Sequence, residues 1–446
     1  MIIWAFLTQT KKRPGKFDAK LSDREKNALI ADWTPVSLTP SLSASEERTV
    51  SSGKVLTGYT GRTMTTSDGI EAINCGNFDF LGMSIRGEVK EASREALEVY
   101  GCGSCGPRGF YGTIMPHVTL EERFAEFMGQ GQQSIMYSDG ASTSSSTVAA
   151  FAKRGDLLVV DEGCFEGLLT GALLSRSNVR HFKHNDMDDL RRVLEEIKAE
   201  DKKLGRDALE QRRFIVVEGI YRNYGTVLDL PRLVDLKGEF GFRLLVDESL
   251  SFGTLGDRGQ GVTDLYGLPG SVEITTISLE NALGSVGGVT VGDEEVTDHQ
   301  RLSGAGYVFS ASACPFVSEA AVAGLGIMER EGKSMMNTLK KNLKVMLKEV
   351  DGIKGLTRTS DDRSPVIFLV LKKEIECEEE KDILKAIEEA CMEDGLAVVA
   401  TGDHIGKHLL YKRVRAGIRI TVNVVMTEKD VKGAGRILKE KVRMFV

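Results

Sequence analysis

The stretch TISLENALGSVGGVTVG, beginning at Thr276, has the make-up of a strand end followed by a glycine-rich turn. Gly284, Gly287 and Gly288 allow the backbone to approach a ligand closely or to take positive φ. Such a turn can face a phosphorylated cofactor. A cofactor aldehyde would need a lysine here, because a Schiff base forms only with an amine that can lose its proton and attack. No lysine occurs between Phe240 and Gly332. A second group able to do chemistry is Asp247, which closes FRLLVDES. A carboxylate at a strand terminus can hold a protonated ring nitrogen, as pyridoxal phosphate (PLP) requires to act as an electron sink. The same oxygen can instead cap the turn that follows. A third candidate is YGCGSCGPRGFYGTIMPH, Tyr100 to His117, where five glycines and two prolines force an irregular backbone. Irregular loops carrying residues such as Arg108, Tyr111 and His117 touch ligands or partners more often than they fill cores. For His117 the alternative is a hydrogen bond to a backbone carbonyl beside the next helix. Cys102 and Cys105 form a C-x-x-C, but no second pair or histidine cluster completes a metal set, and the flanking glycines read as a turn.

These groups need a frame. Short β-branched runs alternate with helical stretches: SIMYSDG, DLLVVDEG, VRHFKHN, RRFIVVEG, FRLLVDES and VEITTISL. Apolar runs of this kind between amphipathic helices are the pattern of a mainly parallel sheet covered on both faces, and so of an α/β fold. In such sheets ligands bind beyond the carboxyl ends of the strands, where Asp247 and the glycine turn fall. Thr119 and Glu122 have the spacing of a capping box, with Leu120, Phe124, Phe127 and Met128 on one face and Gly129 as a stop. Asp186 is placed to cap a helix whose Met187, Leu190, Val193, Leu194 and Ile197 share a side. A long helix is expected from about Pro315 to Val350. A smaller α/β unit follows, with strands in SPVIFLVL, LAVVAT and GIRITVNVV and helices over Asp382 to Glu393 and Glu428 to Val442. The expected division is an N-terminal arm over 1–64, with one short helix near Asp23 to Asp32, then a large domain over 65–314. The interdomain helix and small domain occupy 315–446.

The 446 residues suffice for a large core, and 41% of them are hydrophobic. A net charge of -7 supplies no basic field, which argues against a nucleic-acid partner. An odd number of scattered cysteines, seven, argues against a disulfide framework. The opening MIIWAFLTQ precedes Lys11, Lys12 and Arg13, but a spanning helix needs about 20 apolar residues. It reads as an interfacial anchor or as the end of a longer apolar segment; no small-residue site marks a signal peptide.

Taken in order, NFDFLGM, YGCGSCGPRGFYGT, FKHNDMDDL, VDESLSFGTLGDRGQG and GYVFSAS resemble the motifs of the α-oxoamine synthase family of fold-type-I PLP-dependent transferases, from about Asn77 to the C-terminus. Within it the likeness is to the non-catalytic long-chain-base subunits of serine palmitoyltransferase. The family condenses an amino acid with an acyl-CoA thioester and releases carbon dioxide. The resemblance implies a seven-stranded-type, mainly parallel sheet in the large domain. Aligned on ENALGSVGG, Asn281 takes the place of the family's Schiff-base lysine. Phe165 takes that of the histidine stacked on the cofactor, and Leu250 that of a histidine after the ring-pairing aspartate; Asp247 alone is kept.

The resemblance therefore implies a degenerate pocket at Phe165, Asp247 and Asn281, with no catalytic residue in this chain and no metal. PLP is then held by a lysine-bearing partner in a heterodimer that makes 3-ketosphinganine from L-serine and palmitoyl-CoA, the first step of sphingolipid biosynthesis. Cys105, Arg108 and Tyr111, with Ser310 and Ser312 of FSAS, would face the partner's active site. Arg419 in GIRITVNVV resembles the family's carboxylate-binding arginine, although the VNVVMTEKD that follows departs from the usual pattern. The implied location is the cytosolic face of the endoplasmic reticulum membrane, reached through the partner or through an N-terminal helix missing here. The readings set against this one are a self-sufficient synthase borrowing a remote lysine, and a regulatory scaffold of the same fold.

Overall fold

The computed structural model describes residues 21–39, 53–129, 131–402 and 414–446, with isolated positions between 41 and 51. The opening apolar run, its basic flank and most of the serine-rich stretch lie outside the described residues. The chain forms two compact units, Met1–Lys54 and Val55–Val446. In the first, the short helix is present over Asp23–Asp32. The Ser22 side chain accepts from Glu25 N–H while the Glu25 carboxylate accepts from Ser22 N–H, a reciprocal cap.

The second unit starts earlier than an arm reaching residue 64 would allow. Leu56–Tyr59 (β1), Thr63–Thr66 (β2) and Glu71–Asn74 (β3) are already paired as an antiparallel meander. Thr63–Thr66 alternates half-buried and buried side chains, but its threonines are too polar for that alternation to stand out in the sequence.

The large sheet comprises Gln133–Tyr137 (β4), Leu157–Asp161 (β5), Asn178–Phe182 (β6), Arg213–Glu218 (β7), Arg243–Asp247 (β8), Ile274–Ser278 (β9) and Gly288–Gly292 (β10). Its seven strands lie in the order β4-β10-β9-β8-β7-β5-β6. All neighbours are parallel except β10, which runs antiparallel to β4 and β9. The physical reason is burial on both faces: every residue of β5, β7 and β9 is buried, and each buried Val or Leu contributes about 2 kcal/mol through lost apolar surface.

The remaining strands are Leu356–Arg358 (β11), Val366–Leu371 (β12), Leu396–Ala397 (β13), Val399–Ala400 (β14) and Ile418–Thr421 (β15). LAVVAT, expected as one strand, is divided. β13 pairs parallel with β3, while β14 joins the antiparallel sheet β11-β12-β15-β14. The helices of this region run over Cys377–Glu393 and Glu428–Phe445. Helix Pro315–Val350 carries two apolar stretches. Ala320 to Met336 pack with the large-sheet side around Phe252 and Leu283, and Leu339 to Val350 pack with β12, β15 and the C-terminal helices.

Two helix starts test the sequence reading. Asp186 caps Met187–Leu204 as expected, accepting from Asp188 N–H and Asp189 N–H, both at 3.0 Å. The helix expected to start at Thr119 instead runs over Met115–Met128, so Thr119 lies within it and caps nothing. Pro116 sits in its first turn, where no N–H is needed, and His117 Nδ1 accepts from Ile114 N–H at 3.3 Å.

Candidate functional site

β4 and β9 both oppose β10, so the carboxyl ends of β4, β5, β7, β8 and β9 open on one side of the sheet. Asp247, at the end of β8, is 2% exposed. Its Oδ2 accepts from Ser144 Oγ (2.6 Å) and Thr276 Oγ1 (2.7 Å), and its Oδ1 accepts from Ser249 N–H (3.0 Å). The turn-capping contact is thus real, and two hydroxyls from neighbouring elements are added to it. Asn281 sits in the helical turn Leu279–Ala282 after β9, and its Nδ2 donates to Ser249 O at 2.8 Å. Ser278 N–H donates to Ser249 Oγ at 2.9 Å, so the turns after β8 and β9 are tied to each other. An amide nitrogen has no free lone pair with which to attack an aldehyde. A Schiff-base-linked PLP therefore does not fit the residues of the turn at Asn281.

Phe165 immediately precedes helix Glu166–Ser175 after β5 and is half-buried. Its N–H donates to Glu218 Oε1 (2.8 Å), and Arg222 N–H donates to Oε2 (3.1 Å). Glu218 is in register with Asp247 on the adjacent strand. Burial, then the Asp247 charge, push its carboxyl well above the usual range. Leu250 is buried among core residues. Asp161, ending β5, accepts from Gly163 N–H (2.7 Å), Asn185 N–H (2.7 Å) and Tyr221 Oη (2.8 Å), and pairs with His184 Nδ1 at 3.0 Å. The His184 ring stacks on Tyr224 with centroids 4.0 Å apart. In FKHNDMDDL the histidine therefore orders the turn that carries Phe165. Glu218 and the Asp161 cluster were not singled out from the sequence. Their only signal there was an acidic residue closing each apolar run.

The loop expected to meet a partner is held by its own polar contacts. Cys105 and Tyr111 have φ of 57° and 66°, a left-handed backbone that non-glycine residues seldom take. Tyr111 is fully exposed, and its sequence neighbour Phe110 and the ring of Phe309 are largely exposed. Ser312 N–H and Ser312 Oγ both donate to Gly106 O, at 3.0 and 2.8 Å, which fastens the FSAS segment to the loop. Ser310 Oγ lies 2.8 Å from Ser138 Oγ. His117 Nε2 meets Ala313 O at 2.8 Å, so the carbonyl reading of His117 is the observed one; burial holds its pKa below the ordinary value. Arg108 differs from the others because it is turned inward. It is 7% exposed and forms a bidentate pair with Glu121 at 2.9 and 3.0 Å, and its Nε donates to Thr113 Oγ1 at 3.0 Å. Glu121 also accepts from Met136 N–H at 2.8 Å. Arg108 anchors the loop, and the outward surface belongs to Cys105, Phe110 and Tyr111.

Arg419 on β15 lies over the Phe78 ring at 4.5 Å, and Arg222 lies over the same ring at 5.4 Å. Burial, then the Arg222 charge, lower the Arg419 pKa to about 10. Among the described residues no group of three or more His, Cys, Asp or Glu side chains is placed to hold a metal ion. Nor is any described helix long and apolar enough to cross a membrane.

Comparison with known proteins agrees with this geometry. The family model for aminotransferase class I and II matches residues 72–437. Long chain base biosynthesis protein 1 of Arabidopsis thaliana is 36% identical over 98% of this chain and 89% of its own length. Serine palmitoyltransferase 1 of Dictyostelium discoideum is 35% identical over 97% of this chain and 90% of its own. Among solved structures, a serine palmitoyltransferase from S. paucimobilis with a bound PLP–myriocin aldimine superposes with a TM-score of 0.79 at 22% identity, over 90% of this chain and 96% of that one. A Sphingomonas wittichii serine palmitoyltransferase gives the same TM-score and identity. The fold is that of the PLP-dependent transferases, and the chain belongs to the family of serine palmitoyltransferase 1 and long chain base biosynthesis protein 1, within aminotransferase class I and II.

Proposed function

We propose that this chain is the non-catalytic subunit of a heterodimeric serine palmitoyltransferase, which condenses L-serine with palmitoyl-CoA to 3-ketosphinganine on the cytosolic face of the endoplasmic reticulum membrane. The observation that carries the proposal is Asn281, an amide tied to Ser249 O where covalent capture of the cofactor needs an amine. Supporting it, the Asp247 carboxylate is already engaged by Ser144, Thr276 and Ser249, and Phe165 and Leu250 have no basic nitrogen.

The chemistry then sits on a lysine-bearing partner of the same fold, whose PLP supplies the electron sink for decarboxylation and carbon–carbon bond formation. What this chain supplies is a wall. The Cys105–Tyr111 loop, stapled to Ser312 and anchored through Arg108, presents Tyr111 outward, where the partner would meet it. Ser310 and Ser312 offer hydroxyls suited to the phosphate of the neighbouring subunit's cofactor. Membrane attachment comes through the partner or through residues preceding the described ones.

The test is to purify this chain alone and together with a homologous lysine-bearing chain. The expected result is PLP content and 3-ketosphinganine formation in the pair only. Turnover by this chain alone, or a pair whose activity is indifferent to it, would overturn the proposal.

A further inference from the structure

Helix Pro315–Val350 carries Lys333, Lys340, Lys341, Lys344 and Lys348, all exposed. At 3.6 residues per turn they fall within about 100° of one another around the axis. No acidic residue lies between positions 333 and 348. Helix Glu428–Phe445 carries Lys429, Lys432, Arg436, Lys439 and Arg443, also exposed, within about 80° of one another. The two helices share one core, with Leu343 and Met346 of the first and Ala434 and Leu438 of the second, and Gly435 has no room for a Cβ against Glu349. Their basic stripes adjoin. The Lys432 hydrogen bond, then the charges of Lys432 and Lys341, hold the Glu428 carboxyl below the usual range, which puts Lys341 of the first stripe beside the start of the second. Glu349, in the seam, and Glu440 are the other acidic side chains beside the stripes. Among the described residues Lys432 alone of these basic side chains forms an ion pair, with Glu428 at 2.8 Å. On helix Met187–Leu204, by contrast, Arg191 pairs with Glu239, and Arg192 with Asp189 and Glu196. Met444, Phe445 and Val446, which follow Arg443, are exposed as well.

We infer that the joined outer face of these two helices is an electrostatic seat for an anionic bilayer surface. The inference rests on the reading of this chain as part of a membrane-associated serine palmitoyltransferase and deepens it, by naming the residues that hold this side of the chain against the leaflet. Charge complementarity selects the occupant. Basic groups gathered on one face of a chain whose net charge is -7 draw a polyanion to that face rather than to the rest of the surface. The stripes are mostly lysine, whose compact, hydrated ammonium suits a diffuse layer of headgroups better than bidentate recognition of a single phosphate. The exposed apolar side chains after Arg443 have a place at the boundary of headgroups and acyl chains, and none on a nucleic-acid backbone. Each basic residue close to such a surface strengthens partition by about fivefold.

The experiment sediments the full chain, as wild type and with Lys340→Gln, Lys344→Gln and Lys348→Gln combined, with vesicles of phosphatidylcholine alone or mixed with phosphatidylserine. Circular dichroism checks folding. The wild type should bind the mixed vesicles far more tightly than the neutral ones, and the triple variant should bind the mixed vesicles about a hundredfold more weakly while its binding to neutral vesicles stays the same. A variant within about threefold of wild type on mixed vesicles overturns the inference, as does wild-type binding indifferent to phosphatidylserine. Should the triple variant not fold, Lys429→Gln, Arg436→Gln and Lys439→Gln combined give the same readings from the other helix. Binding to double-stranded DNA that the variant loses, with the vesicles ignored, assigns the face to nucleic acid and overturns the inference. A pair with the lysine-bearing partner that ignores the mixed vesicles while the free chain binds them shows the face covered by the partner, which also overturns it. Vesicle binding is read without turnover, so it can fail while the pair still makes 3-ketosphinganine in detergent; absence of that product from the pair sinks the proposed function instead.

Discussion

Arg108→Met would test whether the Arg108 guanidinium works inside this chain or across a subunit boundary. Arg108 and Glu121 are both nearly buried and joined by two hydrogen bonds, with Thr113 Oγ1 and Met136 N–H completing the cluster. Methionine fills a similar volume but leaves the Glu121 carboxylate with Met136 N–H as its remaining partner in this cluster. Removing one member of a buried ion pair costs about 3–5 kcal/mol, because the other charge stays desolvated without compensation. At about 4 kcal/mol the folded-to-unfolded ratio falls roughly a thousandfold. Replacing both, as Arg108→Met with Glu121→Leu, removes the charge and should recover most of that loss. A deficit of about 1–2 kcal/mol remains, because the Met136 N–H loses its acceptor. The assay is urea unfolding of the purified chain followed by circular dichroism, with activity of the reconstituted pair measured in parallel. Internal anchoring predicts a large loss in the single variant, strong non-additivity in the double, and activity that follows stability. If Arg108→Met were instead within about 1 kcal/mol of wild type while activity of the pair collapsed, the side chain would act on the partner and the anchoring argument would be refuted.

Other outcomes follow from neighbouring geometry. Gly112→Ala would drive a Cβ into Gly106 O and Ser312 Oγ, so a loss of about 1–3 kcal/mol on thermal unfolding is expected, together with reduced activity of the pair; an unchanged melting point would show that the loop yields freely. Tyr111→Ala removes a fully exposed ring, and should leave the chain's own stability within about 0.5 kcal/mol while weakening association with the partner, measured by analytical ultracentrifugation. Glu248 is buried, accepts from Val262 N–H and Ser251 Oγ, and burial raises its carboxyl to about 7 from 4.5. The folded chain then holds a proton that the unfolded chain releases. Its stabilising contribution is full below about pH 4.5 and is lost as pH rises through about 7, amounting to roughly 3 kcal/mol. Glu248→Gln should flatten the fall in stability between about pH 5 and about pH 8 relative to wild type, and an identical slope in both proteins would contradict this.

Some of this protein could be read directly from the chain. Six of the seven large-sheet strands, the helix capped by Asp186, the long helix from Pro315, Asp247 at a strand end and the lack of a lysine near Asn281 are all local facts, whereas β10 lies in a stretch that reads as a glycine-rich turn. They are legible because a fully buried strand must be apolar throughout, a cap must be a short acceptor, and a missing amine is missing in any conformation. Tertiary structure decided the rest. The loop residues Cys105, Arg108 and Tyr111 look equivalent in sequence, yet packing turns Arg108 inward onto Glu121 and leaves Tyr111 outside. LAVVAT reads as one strand, but its halves join different sheets because its partners, β3 and β15, come from distant parts of the chain. Ser144 and Asp247 lie far apart in sequence and meet only because the strand order brings the residues after β4 to the carboxyl end of β8. Residue type determines which chemistry a position can support, and long-range strand order determines which positions share a site, since neighbours across a sheet leave no periodic trace in the chain.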